Sequence, residues 1–164
     1  MTPWHLAPEA FDTADATGLR RDYYDEVASR YRRRPATAAE VDLGLDGDGA
    51  ELLAPPTGRF VVGRVDGAPA ACGGVLMLDP ERAEVTRVYL RPAFRGTGGA
   101  GLLLARLEEE ARRLGAVRAV LNTRLDLVEA RALYVRHGYR EIPAHRTGPY
   151  VEVCYGKELG SGEG

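Results

Sequence analysis

Apolar positions change period along the chain, and those changes mark out its elements. Leu19, Tyr23, Val27 and Tyr31 recur at i, i+4 spacing, which predicts one apolar stripe on a helix. Asp12 or Thr13 can cap that helix, and Pro35 requires it to end by about residue 33. Thr37 with Glu40 three residues on has the form of a capping box, so a second helix is expected over 38–45. Residues 4–7 read as a short first strand. Residues 46–56 read as loop, with a helical turn near Leu52 and Leu53.

From Phe60 onward the pattern is that of strands. Residues 60–65 and 70–78 flank Asp66-Gly67, a hairpin signal, with Gly73-Gly74 softening the second strand. Pro80-Glu81-Arg82 turns the chain into a third antiparallel strand, 83–90. A helix over 101–114 carries Leu103, Leu107, Ala111 and Leu114 on one face and stops at Gly115. A strand (117–122), a helix (127–137, stopped by Gly138) and two closing strands (139–142 and 150–155) complete the order. This predicts an α+β fold: a mixed, mainly antiparallel sheet with helices on both faces. Residues 1–159 are expected to form one domain, followed by a flexible tail, Gly-Ser-Gly-Glu-Gly, at 160–164.

Composition narrows the function classes. The 164 residues are 45% hydrophobic and 28% charged, with a formal net charge of -2. That balance gives no reason to expect nucleic acid or an anionic membrane surface as partner. No apolar run approaches the roughly 20 residues that span a bilayer. The first eight residues lack the basic and apolar regions of a signal peptide. Cys72 and Cys154 lie far apart without metal-ligand spacing, so buried thiols, no metal and a cytoplasmic setting are expected. Lys157 is the single lysine, near the chain's end, which leaves one poorly placed candidate for Schiff-base chemistry.

The candidate chemistry sits between the third strand and the helix after it, in Arg95, Gly96, Thr97, Gly98, Gly99 and Ala100. A glycine-rich turn lets backbone approach a ligand closely, and the first N–H groups of a helix suit an anion. A Walker A loop would need Gly-Lys-Ser/Thr, which is absent. Gly96, Gly98 and Gly101 match a dinucleotide-binding G-x-G-x-x-G, with Asp126 downstream. Against that reading stand the spacer 91–95 and the antiparallel meander before it. The segment resembles the acyl-CoA motif of the GNAT superfamily of N-acetyltransferases, Arg/Gln-x-x-Gly-x-Gly/Ala. The preceding Val-Tyr-Leu-Arg-Pro and the later Ala-Arg-Ala-Leu-Tyr-Val-Arg-His-Gly-Tyr (130–139) are also similar to that family. The likeness covers roughly residues 59–157.

The resemblance implies acetyl-CoA as acyl donor and an amine acceptor, acetylated by direct attack in a ternary complex. It places residues 95–100 around the CoA pyrophosphate, with Thr97 adding its hydroxyl. It lays the pantetheine arm along Val88, Tyr89 and Leu90, on a bulged strand that splays from the next. A bulge frees backbone donors, one of which suits an oxyanion. Tyr134 matches the tyrosine that protonates the leaving thiolate, and Glu84 matches a glutamate base found in some members. His145 is the other base candidate, weighed against an exposed loop histidine, and a water can relay the proton. Where the family often carries Asn, this chain has Leu127, and Asn122 is the candidate to replace that polar contact.

The family's acceptor region corresponds to residues 22–40 and 140–153. Asp22, Asp25, Glu26 and Glu40 suit a cationic amine there, whereas Arg30, Arg32, Arg33, Arg34 and Arg146 suit a carboxylate or phosphate. Small molecules and peptide amines both stay open. A homodimer is common among small members. A non-catalytic acyl-CoA-binding or sensor domain is the alternative.

Overall fold

A computed structural model of the protein describes residues 3–148 and 151–160. The strands are β1 (Trp4–Pro8), β2 (Gly58–Val65), β3 (Ala68–Met77), β4 (Arg82–Leu90), β5 (Arg118–Thr123), β6 (Arg140–Ile142) and β7 (Val153–Glu158). The helices are α1 (Ala14–Arg32), α2 (Ala38–Leu45), α3 (Gly99–Arg113) and α4 (Val128–Arg136). Single 3₁₀ turns cover Ala50–Leu52 and Pro92–Phe94. Position 150, expected at the start of the last strand, and the tail at 161–164 lie outside the described residues.

Local chemistry sets the ends. Thr13 accepts from the Ala16 N–H at 3.1 Å and opens α1, and Arg33 closes it at φ 56°. Thr37 and Glu40 form the reciprocal capping box at the start of α2. Asp66 and Gly67 both take left-handed φ, 50° and 81°, the turn whose twist suits a hairpin.

The strands form one sheet in the order β1-β2-β3-β4-β5-β7-β6, antiparallel throughout except for β4 against β5. Gly73 and Gly74 do not weaken β3. Both are paired with β2, and their missing side chains leave room for Leu107 from one layer and Leu53 from the other. On one face α3 buries Leu103, Leu104, Leu107 and Ala111 against Val61, Val75, Val85 and Leu121. On the other face α1 buries Ala16 and Leu19 with Leu53, Phe60, Val62, Cys72 and Tyr89. Among the described residues no helix is long and apolar enough to cross a membrane.

Two irregularities in β4 position the site. Its parallel pairing with β5 spans only Arg82, Ala83 and Glu84, opposite Arg118, Ala119 and Val120. Beyond Glu84 the two strands diverge. The register with β3 also slips between Cys72 and Gly74, opposite Arg87, which sits at φ 55°. A bulge there re-aims the side chains that follow.

Candidate active site

The glycine turn is built to leave its backbone free. Gly96 (φ 78°) and Gly98 (φ 84°) adopt left-handed conformations that side chains disfavour. Gly98 precedes α3 without a side-chain cap, and the first turn holds no acidic residue. The N–H groups of Gly99, Ala100 and Gly101 therefore have no partner inside the helix. Gly99 packs directly on the Trp4 indole, where a Cβ would come within 2.1 Å of Cζ2. The indole Nε1–H donates to Thr97 Oγ1 at 3.2 Å, and the Thr97 hydroxyl donates to the Phe94 carbonyl at 2.7 Å. Thr97 is thus engaged in holding the turn.

Arg95 ties the turn to its neighbours. Its Nε donates to the Leu90 carbonyl at 3.0 Å, and its Nη2 reaches Glu26 of α1 at 2.7 Å. Arg91 repeats the clamp, donating to Asp22 and to the Pro69 carbonyl, each at 2.9 Å. Asp22 and Glu26, considered for a cationic acceptor, are taken by these arginines. Glu40 is likewise held by Arg32 and Arg34, at 2.7 and 2.8 Å, and Asp25 accepts from Ser29 at 3.1 Å.

Where β4 leaves β5 a cleft of about 920 Å³ opens. Val88, Tyr89, Leu90, Arg95, Gly96, Gly98, Ala100, Asn122 and Tyr134 all line it. Thr97, Gly99 and Glu84 are not among its lining residues. Tyr23, Val27 and Arg30 of α1 line one part of the cleft, and Leu133 of α4 and His137 just after it line it on the α3 side.

Tyr134 is buried in the wall, its ring 5.9 Å from that of Tyr139 and 6.2 Å from that of Tyr155. Burial pushes its phenol above the ordinary value. The hydroxyl makes no hydrogen bond among the described residues. Leu127 precedes α4 without capping it through a side chain, and Asn122 donates to Glu84 Oε2 at 3.5 Å.

Glu84 is buried at the last position of β4 that pairs with β5, beneath His145 and Arg146. Arg146 forks onto it, with Nε on Oε2 at 2.8 Å and Nη2 on Oε1 at 3.0 Å. His145 Nε2 lies 2.9 Å from Oε2. Both oxygens are therefore engaged. His145 is not an exposed loop histidine, since its side chain is only 2% exposed.

A cluster behind β4 had no sequence signal. Arg20, Tyr24 and Arg87 converge on Asp48, with Arg20 at 3.3 Å and the Tyr24 hydroxyl at 2.8 Å. The Arg87 side chain also donates to the Asp48 carbonyl. Burial alone would raise the Asp48 carboxyl, but the Ala50 N–H, Tyr24, Arg87 and Arg20 together hold it below its usual range. Three of these groups come from different segments, so no local pattern announces them. Lys157, the single lysine, is paired with the buried Glu108 at 2.9 Å.

Comparisons with known proteins agree with this fold. The model of the family described as "Acetyltransferase (GNAT) family" matches residues 19–139. A protein of Azospirillum brasilense named IAA acetyltransferase is 34% identical over 93 residues, 56% of this chain and 60% of that protein's length. The fold superposes on a Klebsiella pneumoniae protein described as a candidate acyl-CoA N-acyltransferase, with TM-score 0.71 and 26% identity over 95% and 97% of the two chains. It also superposes on a GNAT family acetyltransferase of Elizabethkingia anophelis with acetyl-CoA bound, with TM-score 0.66 and 15% identity over 96% and 99%.

Proposed function

The chain belongs to the GNAT acetyltransferase family, and from that premise we propose that it transfers an acetyl group from acetyl-CoA to a primary amine, by direct attack within a ternary complex. The observation that carries this reading is the divergence of β4 from β5 beyond Glu84, which opens a cleft onto the free N-terminus of α3. Acetyl-CoA bound by the Elizabethkingia relative supports the choice of donor.

The residues present fit that donor. Gly96 and Gly98 offer backbone that no side chain covers, and a Cβ added at either would meet nothing. Their N–H groups, with those of Gly99 to Gly101, hold the pyrophosphate at the positive end of α3. Arg95 shapes the loop through Leu90. The edge of β4 at Val88, Tyr89 and Leu90, unpaired on the β5 side, supplies backbone partners for the pantetheine amides. The donor brings the activated acyl thioester. Tyr134 holds its proton at Oη, because burial disfavours the phenolate, and gives it to the departing thiolate.

Glu84 plays a different part from a direct base. With Arg146 and His145 on its oxygens it holds residues 145 and 146 beside the acceptor end. This placement also favours a second reading, an acyl-CoA-binding domain without turnover, to which Tyr134 in the cleft wall is the counterweight. The buried free thiols of Cys72 and Cys154 suit a cytosolic setting.

Thermal melting with coenzyme A tests the donor. Ligand at a hundred times its Kd should stabilise the fold by about 2.7 kcal/mol. No stabilisation at millimolar coenzyme A would refute the donor assignment. Thiol release from acetyl-CoA over an amine panel separates the enzyme from the binding-only reading.

A further inference from the structure

Once its ion pairs are counted, the α1 end of the cleft is left positively charged. Resting on the acetyl-transfer reading above, we propose that the acceptor amine also carries an oxyanion, carboxylate or phosphate, and that Arg30 holds it. Of the acidic residues around that end, most already have a guanidinium. Asp22 has Arg91 at 2.9 Å, Glu26 has Arg95 at 2.7 Å, Glu84 has Arg146 at 2.8 Å and Asp126 has Arg124 at 3.0 Å. Asp48 is shared by two, Arg20 at 3.3 Å and Arg87 at 3.6 Å, which leaves one positive charge over. Asp25 is exposed and does not line the cleft.

Arg30 follows Glu26 by one turn of α1, so both face the cleft. It is exposed and makes no ion pair among the described residues. The Arg124 guanidinium lies over the Tyr31 ring, 5.4 Å from its centre. That contact draws the end of β5 against the last turns of α1, so Arg30 and Arg124 share one mouth. Glu129 also lines the cleft without an arginine partner among the described residues. It belongs to α4, whose inner residues Ala130, Leu133 and Tyr134 pack with the α3-side core. A polycation entering beside α1 would meet Arg30 and Arg124, while Glu26, the α1 carboxylate that lines the cleft, is already paired. A planar guanidinium instead matches a carboxylate or phosphate with two parallel N–H bonds.

The test uses the full chain saturated with coenzyme A and reads acceptor binding by calorimetry beside acetylation. Matched probes are L-phenylalanine against L-phenylalaninamide and O-phosphoethanolamine against ethanolamine, with spermidine as the polycation. At least tenfold tighter binding of an anionic member than of its neutral partner is expected, and the pair with the larger gap names the oxyanion. Arg30→Gln should erase that gap and Arg30→Glu should invert it, while the melting shift with coenzyme A persists. Equal binding within both pairs, tighter binding of spermidine, no binding by either anionic probe, or a gap that survives Arg30→Gln each overturns the proposal. An anionic preference without acetylation would keep it and refute acetyl transfer. Acetylation without that preference would do the reverse.

Discussion

At the scale of single residues, Tyr134 and Glu84 divide the account. Tyr134 was legible in the sequence because its helix carries a motif, Ala-Arg-Ala-Leu-Tyr, around it. Its burial then explains how a phenol keeps its proton, since no charge nearby favours the phenolate. Tyr134→Phe keeps the ring packed against Tyr139 and Tyr155 and removes the proton. We expect kcat to fall by roughly 10²-fold, the lower end of general-acid contributions, with acetyl-CoA KM nearly unchanged in a steady-state assay. The surroundings of Glu84 were not legible. Position on β4 follows from strand period, but Arg146 and His145 reach it across about sixty residues of chain. Arg146→Gln leaves a buried carboxylate short of its ionic partner. That should cost about 2–3 kcal/mol of stability, read as a lower urea midpoint than wild type.

At the scale of elements, the periods and caps placed the helices and strands to within a residue or two, except the last strand, expected at 150–155 and found three residues later at Val153–Glu158. Thr13, Thr37 and Asp66-Gly67 did so because each acts on its own neighbours. What the periods did not reveal was how elements touch. Trp4 of β1 pressing on the first residue of α3 is a contact across ninety-odd positions. It gives Gly99 a steric reason beyond the motif. Gly99→Ala should destabilise by about 1–3 kcal/mol through overpacking, although alanine is the better helix former. A melting comparison checks this, and a Trp4→Leu background should relieve most of the loss. If Gly99→Ala melted like wild type, the contact would not be shaping the turn.

At the scale of the whole molecule, burial acts on several tyrosines at once. Tyr23, Tyr24, Tyr89, Tyr134 and Tyr139 all have phenols raised above the usual value, in each case chiefly by burial. Below about pH 10 both folded and unfolded chains keep these protons, so stability is unaffected. Above it the unfolded chain deprotonates first, and stability falls as pH climbs toward the folded values. Tm measured from pH 8 to 11.5 should be level at first and then drop. Cys72, pushed up to about 12 by burial, should stay unmodified by alkylating reagents at neutral pH. The α+β order was readable because each helix and strand carries its own period and its own turn or cap signal. The charge of the cleft's α1 end was not, because it depends on which arginine meets which carboxylate.

The central claim is amine-dependent acetyl transfer at the cleft between β4 and β5. Thiol release from acetyl-CoA, measured with and without an amine panel on wild type and Tyr134→Phe, tests it most directly. The account predicts release that requires an amine and falls roughly a hundredfold in the variant. Release that no amine increases, with coenzyme A bound by both proteins, would contradict it and leave a binding domain in its place.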